Sequence, residues 1–177
     1  ALNVNGHAFK AFAGMRHWHP YIKDTLAEMA DAGITRAAGL VMAPHYSRLS
    51  IGAYFKKVDE AQSPIEMALV ERWHLLPGYL DALADRVQAA LGKFPLAVRA
   101  HVPIVFTAHS LPQHILEWND PYPDELRATV AAVMERLNPR PATGEFAFQS
   151  AAMTPDPWLG PDAGEVIARL AREGHQH

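Results

Sequence analysis

Short apolar runs alternating with amphipathic stretches predict an α/β fold made of parallel β-α units joined by right-handed crossovers. Three stretches carry that reading. Ala37-Ala-Gly-Leu-Val-Met-Ala43 is continuously apolar, as expected of a parallel strand covered on both faces. Tyr21 to Ala32 places Ile22, Leu26 and Met29 on one helical stripe, with Pro20 before it and Gly33 after its last turn. Pro103-Ile-Val-Phe-Thr-Ala-His-Ser-Leu-Pro112 runs apolar and β-prone residues into a histidine, after which Ser-Leu-Pro blocks extension.

Taken in order, His7-Ala-Phe-Lys-Ala-Phe-Ala13 alternates like a strand and ends in Gly14-Met-Arg-His-Trp-His-Pro20. The helix over 21–32 comes next, then the apolar strand, stopped by Pro44-His-Tyr-Ser47, then a helix from about Leu49 to Glu60. Ile65 to Val70 reads as the third strand and leads through Glu71-Arg-Trp-His74 to a helix opened by Pro77, with Leu80, Leu83, Val87 and Leu91 on one face. The fourth strand is the run ending at His109. A charged, proline-marked loop, Glu117-Trp-Asn-Asp-Pro-Tyr-Pro123, precedes a helix bearing Leu126, Val130, Val133 and Leu137. Glu145 to Ser150 is a fifth strand, Met153 to Pro161 a stiff loop, and Asp162 to Arg172 a last helix.

The 177 residues suffice for one domain or two small ones. No apolar run approaches the ~20 residues needed to cross a bilayer. A net charge of -3 provides no concentrated basic surface for nucleic acid. With no cysteine there is neither a disulfide nor a Cys-ligated zinc or iron–sulfur site, which fits a reducing compartment and makes the cytoplasm the expected location.

The 10 histidines matter by placement. His17, His45, His74 and His109 come after successive predicted strands, and Gln149 ends the fifth. Ligands of parallel sheets collect beyond the carboxyl ends of strands, so these groups would converge on one rim. The alternative is that a strand-end histidine is a hydrogen-bonded structural residue or a cap, as His74 beside Trp73 could be. No G-x-G-x-x-G, G-x-x-x-x-G-K-[ST] or G-x-S-x-G motif is present, which removes the dinucleotide, P-loop and hydrolase readings. Ser110 comes directly after His109, so the two side chains diverge and a serine triad has no geometry; Ser110 reads as a turn residue. His17-x-His19 is equally a chelating pair or a capped turn before Pro20, and His175-Gln-His177 reads as a frayed end. Met15, Trp18, Met42, Tyr46, Trp73, Leu111, Trp118 and Trp158 either belong to the core or form a flat apolar slot beside the strand ends. An imidazole, with an ordinary pKa of about 6.5, accepts a proton or binds borderline metals in such a slot.

Thr107-Ala-His-Ser-Leu-Pro112, Asp120-Pro-Tyr-Pro123, Phe148-Gln-Ser150 and Pro157-Trp-Leu-Gly-Pro161, in this order, closely resemble the ferrochelatases. Gly14-Met-Arg-His17 with His19-Pro20, and Ala43-Pro-His-Tyr-Ser47, match the same family upstream. The Thr154-Pro-Asp-Pro-Trp version and the lack of cluster cysteines look most like the enzymes of Gram-positive-type bacteria, several of which act on coproporphyrin.

The resemblance implies a chelatase-like α/β fold of two Rossmann-like, three-layer α/β/α units with parallel sheets. The expected division is 1–95 in the first domain and 96–177 in the second. It implies insertion of Fe²⁺ into protoporphyrin IX or coproporphyrin III, to form haem or coprohaem, with both as substrates, no tightly bound cofactor and no iron–sulfur cluster. Porphyrin and ferrous iron are thus the expected partners, and transient contacts with a membrane or with haem-pathway enzymes are compatible with it. His109 falls on the catalytic histidine, which takes pyrrole protons, binds metal, or both. His17 falls on a cleft-lining position with a metal role, and Arg16, His45, Tyr46, Ser110, Gln149, Ser150 and Trp158 fall on porphyrin-binding motifs. Family chains also carry an earlier strand and a later essential glutamate, so this chain is expected to be an internal fragment, and Glu165 is not that glutamate. The competing readings are a cobalt or other tetrapyrrole chelatase and a non-catalytic porphyrin-binding module.

Overall fold

A computed structural model describes residues 9–177. Its contacts divide the chain into two compact units, 1–72 and 73–177.

In the first unit, α1 (Ile22–Asp31) buries Ile22, Leu26 and Met29, the stripe expected from their spacing. Gly33, at φ 74, turns the chain out of the helix in the left-handed region that a side chain disfavours. β1 (Arg36–Leu40) and β2 (Glu66–Val70) pair in parallel, Arg36 opposite Glu66 and Leu40 opposite Val70, with α2 (Ile51–Glu60) as the crossover. The core joins α1 and Ile65 to Phe12, Ala37, Met67, Tyr54 and Val58, so both helices lie on one face of the ladder.

The second unit is a three-layer sandwich. β3 (Ile104–His109) and β4 (Gly144–Gln149) pair in parallel and in register from Ile104 opposite Gly144 to His109 opposite Gln149. Alternation sends Ile104 and Phe106 to one face, where they meet α3 (Pro77–Leu91) and α4 (Tyr122–Met134) through Leu80, Ala84, Val133, Met134 and Leu137. Val105 and Ala147 face the other way, onto Val166 and Leu170 of α5 (Ala163–Arg172). A Cβ at Gly144 would lie 2.6 Å from the Met134 sulfur, so a side chain there would require the Met134 thioether to move. Asp162 caps α5 by accepting the Gly164 N–H at 2.7 Å.

Some expectations change. The described part of the first predicted strand, Phe9–Ala13, forms no ladder, while His7 and Ala8 lie outside the described residues. Hydrophobic alternation permits a strand but a ladder needs a partner, and among the described residues β1 and β2 pair only with each other. β1 stops at Leu40, before Val41-Met-Ala43. Gln113–Trp118 winds into a 3-10 turn that fully buries Ile115 and takes in Glu117 and Trp118, the start of the expected loop. The helix after Pro77 packs within the second unit, on α4.

Candidate active site

The end of the β3–β4 ladder is built by four of the motifs seen in the sequence. His109 and Gln149 are the last paired residues of the two strands, side by side on the α5 face, and both are exposed. Ser110 then continues the ladder by one bond, its N–H donating to the Gln149 carbonyl at 2.7 Å. Its side chain turns inward: Ser110 is 1% exposed, and its hydroxyl donates to the Leu159 carbonyl at 2.8 Å. A buried hydroxyl bonded to the chain in this way fastens the strand end to the Leu159 loop.

The Pro157-Trp-Leu-Gly-Pro161 loop is fastened along its length. Leu159 N–H donates to the Leu111 carbonyl at 2.9 Å and Gln113 N–H to the Pro157 carbonyl at 2.8 Å, with Pro112 bridging Trp158 in antiparallel fashion. The Phe148 N–H reaches the Pro161 carbonyl at 2.8 Å. Trp158 is half-buried, and its indole N–H donates to the Thr154 hydroxyl at 2.9 Å, which orients the ring. Ser150, next after Gln149, adopts φ 58, a left-handed conformation uncommon for a residue with a side chain, and is exposed.

The Asp120-Pro-Tyr-Pro motif supplies the remaining fastening. Asp120 is buried and accepts the Tyr122 N–H at 3.1 Å, fixing the start of α4. The Tyr122 hydroxyl donates to the His109 carbonyl at 2.9 Å, and its ring lies 6.5 Å from that of Phe148. Burial, and secondarily the Asp120 charge, pushes the Tyr122 phenol above the usual tyrosine range, so it remains a protonated donor at neutral pH. Asp120-Pro-Tyr-Pro123 is recognisable in the sequence as a motif, but nothing there gives Tyr122 a role; its spacing from His109 is the only signal.

Arg16, His17, His45 and Tyr46 belong to the first unit. Arg16 Nε–H donates to His17 Nε2 at 2.7 Å, while the other end of the guanidinium lies 3.4 Å from the Leu49 and Ser50 carbonyls and its Cζ stands 5.4 Å from the centre of the Tyr54 ring. His17 Nε2 is therefore an acceptor, with the ring proton on Nδ1, and a metal ion at Nε2 would have to displace a cation. The Met15 N–H on the Pro20 carbonyl at 2.7 Å, and the Ile22 N–H on the Met15 carbonyl at 3.2 Å, close the Met15–Tyr21 loop that presents this pair. His45 and Tyr46 are partly buried beyond β1, with Arg72 5.6 Å from the centre of the Tyr46 ring. A hollow of about 760 Å³ opens in this unit among Phe12, Ile22, Leu26, Leu40 and Leu69, and no histidine or carboxylate lines it among the described residues.

His74 does not join any exposed rim. It belongs to the second unit, where its Nδ1 sits 3.3 Å from the Glu125 carboxylate with both side chains under a tenth exposed. The Thr129 hydroxyl lies 3.1 Å from the Glu125 carbonyl and 3.4 Å from that of His74, tying the turn to α4. No group of three or more His, Cys, Asp or Glu that could hold a metal occurs among the described residues. What the β3–β4 end offers is thus one exposed imidazole with a pinned backbone, beside an amide, an indole and a serine: a proton acceptor on a rigid rim.

Residues 1–177 match the sequence model of the family described as ferrochelatase. Relatives include the ferrochelatase of Herpetosiphon aurantiacus, 40% identical over 96% of this chain and 56% of its own length, and that of Deinococcus radiodurans, 40% identical over 98% and 56%. A Bacillus subtilis protein named coproporphyrin III ferrochelatase is 36% identical over 95% of this chain and 55% of its own. The chain thus spans a little over half the length of these relatives. With every residue inside the family match, the chain belongs to the ferrochelatase family.

Proposed function

We propose that the protein carrying this chain inserts ferrous iron into a porphyrin, protoporphyrin IX or coproporphyrin III, yielding haem or coprohaem. Insertion exchanges two pyrrole protons for one Fe²⁺, so the reaction needs a group that removes protons from the ring while metal enters. His109 is the residue assigned to that task, as proton acceptor and as metal ligand. The single observation that carries the assignment is its imidazole at the exposed end of β3, in register with Gln149, on a backbone held by hydrogen bonds from neighbouring motifs. A proton acceptor on a rigid element is what general-base chemistry demands, since its position must not relax as the proton moves.

Gln149, Ser150 and Trp158 are assigned to the porphyrin face around His109. Arg16, His17, His45 and Tyr46 are assigned to porphyrin binding from the first unit, His17 reaching metal only where the guanidinium releases Nε2. Ser110 serves the same surface indirectly, through the Leu159 loop. Iron and porphyrin are substrates, and no tightly bound organic cofactor is invoked. The chain has no cysteine with which to hold an iron–sulfur cluster. The protein is assigned to the cytoplasm, and any contact with a membrane or with haem-pathway enzymes is transient.

The test is steady-state metallation by the full-length protein with Fe²⁺ and each porphyrin, read by absorbance. His109→Ala is expected to reduce turnover by about 10²–10⁴-fold with the unfolding midpoint unchanged, as for the loss of a general base that fills no core space. Turnover near wild type in that variant refutes the role of His109. Preference for Co²⁺ over Fe²⁺, or porphyrin binding without turnover by the wild type, refutes the iron-insertion reading.

A further inference from the structure

We propose that Tyr122 is a positioning residue for His109, its hydroxyl fixing the peptide plane from which the imidazole projects. The proposal rests on the role given to His109 above. The peptide linking His109 to Ser110 is a rigid plane with one acceptor and one donor. Its carbonyl accepts from Tyr122 at 2.9 Å, and its N–H donates to Gln149 at 2.7 Å. Two bonds on opposite edges of one plane remove its freedom to rotate, which sets ψ of His109 and φ of Ser110 together. The allowed side-chain rotamers depend on those backbone angles, so the plane also decides where the His109 ring can point.

The need for such a device arises from location. His109 is the last residue of β3, and beyond Gln149 the ladder ends, so neither strand supplies a further bond to hold the carbonyl of that peptide from the sheet side. His109 is also exposed, and its side chain is not wedged by packing. Orientation must then come from the backbone, and Tyr122 is the side chain that reaches it.

Tyr122 is itself held for this task. Asp120 fixes its backbone N–H, and residue 122 opens α4, whose first turn is tied back by the Glu125 N–H on the Pro121 carbonyl at 2.9 Å. Its ring stands beside Phe148, the residue preceding Gln149, so one phenol touches both strands near their ends. The hydroxyl hydrogen is committed to a carbonyl, so Tyr122 is not the proton acceptor, and it acts only through His109.

The experiment uses the full-length protein and Tyr122→Phe, which removes the hydroxyl and keeps the ring. The expected result is a kcat about tenfold lower with the porphyrin KM within about twofold, the scale of one lost hydrogen bond expressed as misplacement of a reacting group. The His109 imidazole signals in ¹H–¹⁵N spectra should move as well. Arg136→Ala, which removes a surface contact between the chain just beyond α4 and Asp81 of α3, serves as the stability control and should lower the unfolding midpoint without moving kcat or those signals. Wild-type kcat with unmoved His109 signals in Tyr122→Phe overturns the proposal. So does a loss of kcat that tracks the unfolding midpoint across both variants, which is what a merely structural tyrosine would give. If the wild type fails to metallate any porphyrin, the iron-insertion reading falls on that result, and the His109 signals alone then decide whether Tyr122 positions the ring.

Discussion

Replacing Ser110 by alanine tests whether the strand end is held by one buried hydroxyl. Ser110 is 1% exposed and Leu159 9%, and the hydroxyl-to-carbonyl distance is 2.8 Å, so neither partner has ready access to water. Alanine leaves a gap of only one oxygen atom, and the cavity cost is small. The larger effect is on the Leu159 carbonyl, which loses its donor while remaining buried. A typical hydrogen bond contributes about 0.5–1.5 kcal/mol net, but stranding a buried acceptor costs about 1–3 kcal/mol, so the second figure governs. Equilibrium urea unfolding should show a lower midpoint at unchanged slope, corresponding to a loss of about 1–3 kcal/mol. The effect should also be local: amide exchange at Leu159 and Gln113, which donate to Leu111 and Pro157 across the same small ladder, should quicken more than exchange in α3. A loss below about 0.5 kcal/mol with unaltered exchange at both amides would mean that water or a shifted backbone replaces the hydroxyl, and the fastening role would be refuted.

Glu125→Ala removes the buried carboxylate that stands 3.3 Å from His74 Nδ1, and should cost about 1–3 kcal/mol by thermal or urea unfolding. Combining His74→Phe with Glu125→Leu removes the desolvation of both groups and should cost less; a double variant less stable than Glu125→Ala contradicts this. At the alkaline end, Tyr79 and Tyr122 are both raised above the usual tyrosine range, chiefly by burial. The folded state therefore holds these protons more tightly than the unfolded chain, so their contribution is complete below the unfolded tyrosine value of about 10 and is lost as pH rises through the folded values. Tyr79→Phe and Tyr122→Phe should flatten the alkaline limb of a stability–pH profile, and an unchanged limb in both variants counts against this account.

Local signals carried the elements well. The apolar stripe of α1, the Pro77 start of α3 and the apolar run into His109 each depend on residues within a few positions, and each appears where its pattern put it. The strand-end placement of His109 and Gln149 was legible for the same reason, and their direct pairing reflects two runs of equal length starting in register. What sequence could not reveal was direction after a strand ends. His74 and Ser110 both lie beyond strand ends, and both turn inward because of partners far along the chain: Glu125 for His74 and Leu159, 49 residues away, for Ser110. Periodicity encodes which face a residue takes within an element and is silent in the turn beyond it. Phe9–Ala13 illustrates the converse limit, since an alternating pattern cannot supply the neighbouring strand that would make it a ladder.

The motif residues of the second unit divide by exposure into two kinds that stand next to each other in the sequence. Phe148, Ser110, Asp120 and Leu159 are buried and spend their polar atoms on one another's backbones or on those of adjacent motif residues. His109, Gln149 and Ser150 are exposed, each adjacent in sequence to a buried member or to another exposed one. A side chain that must face a substrate cannot also be wedged into the core, so its position has to be inherited from neighbours that are. Thr-Ala-His-Ser-Leu-Pro joins an exposed imidazole to a buried hydroxyl, and Phe-Gln-Ser joins a buried ring to an exposed amide. The peptide after His109 is where these constraints meet, since Tyr122 and Gln149 grip its two edges while the Ser110 hydroxyl anchors the chain immediately beyond it to the Leu159 loop. Loosening any one of the three should disturb the imidazole before it unfolds the sheet, because the ladder below His109 has its own bonds and its own two-sided core.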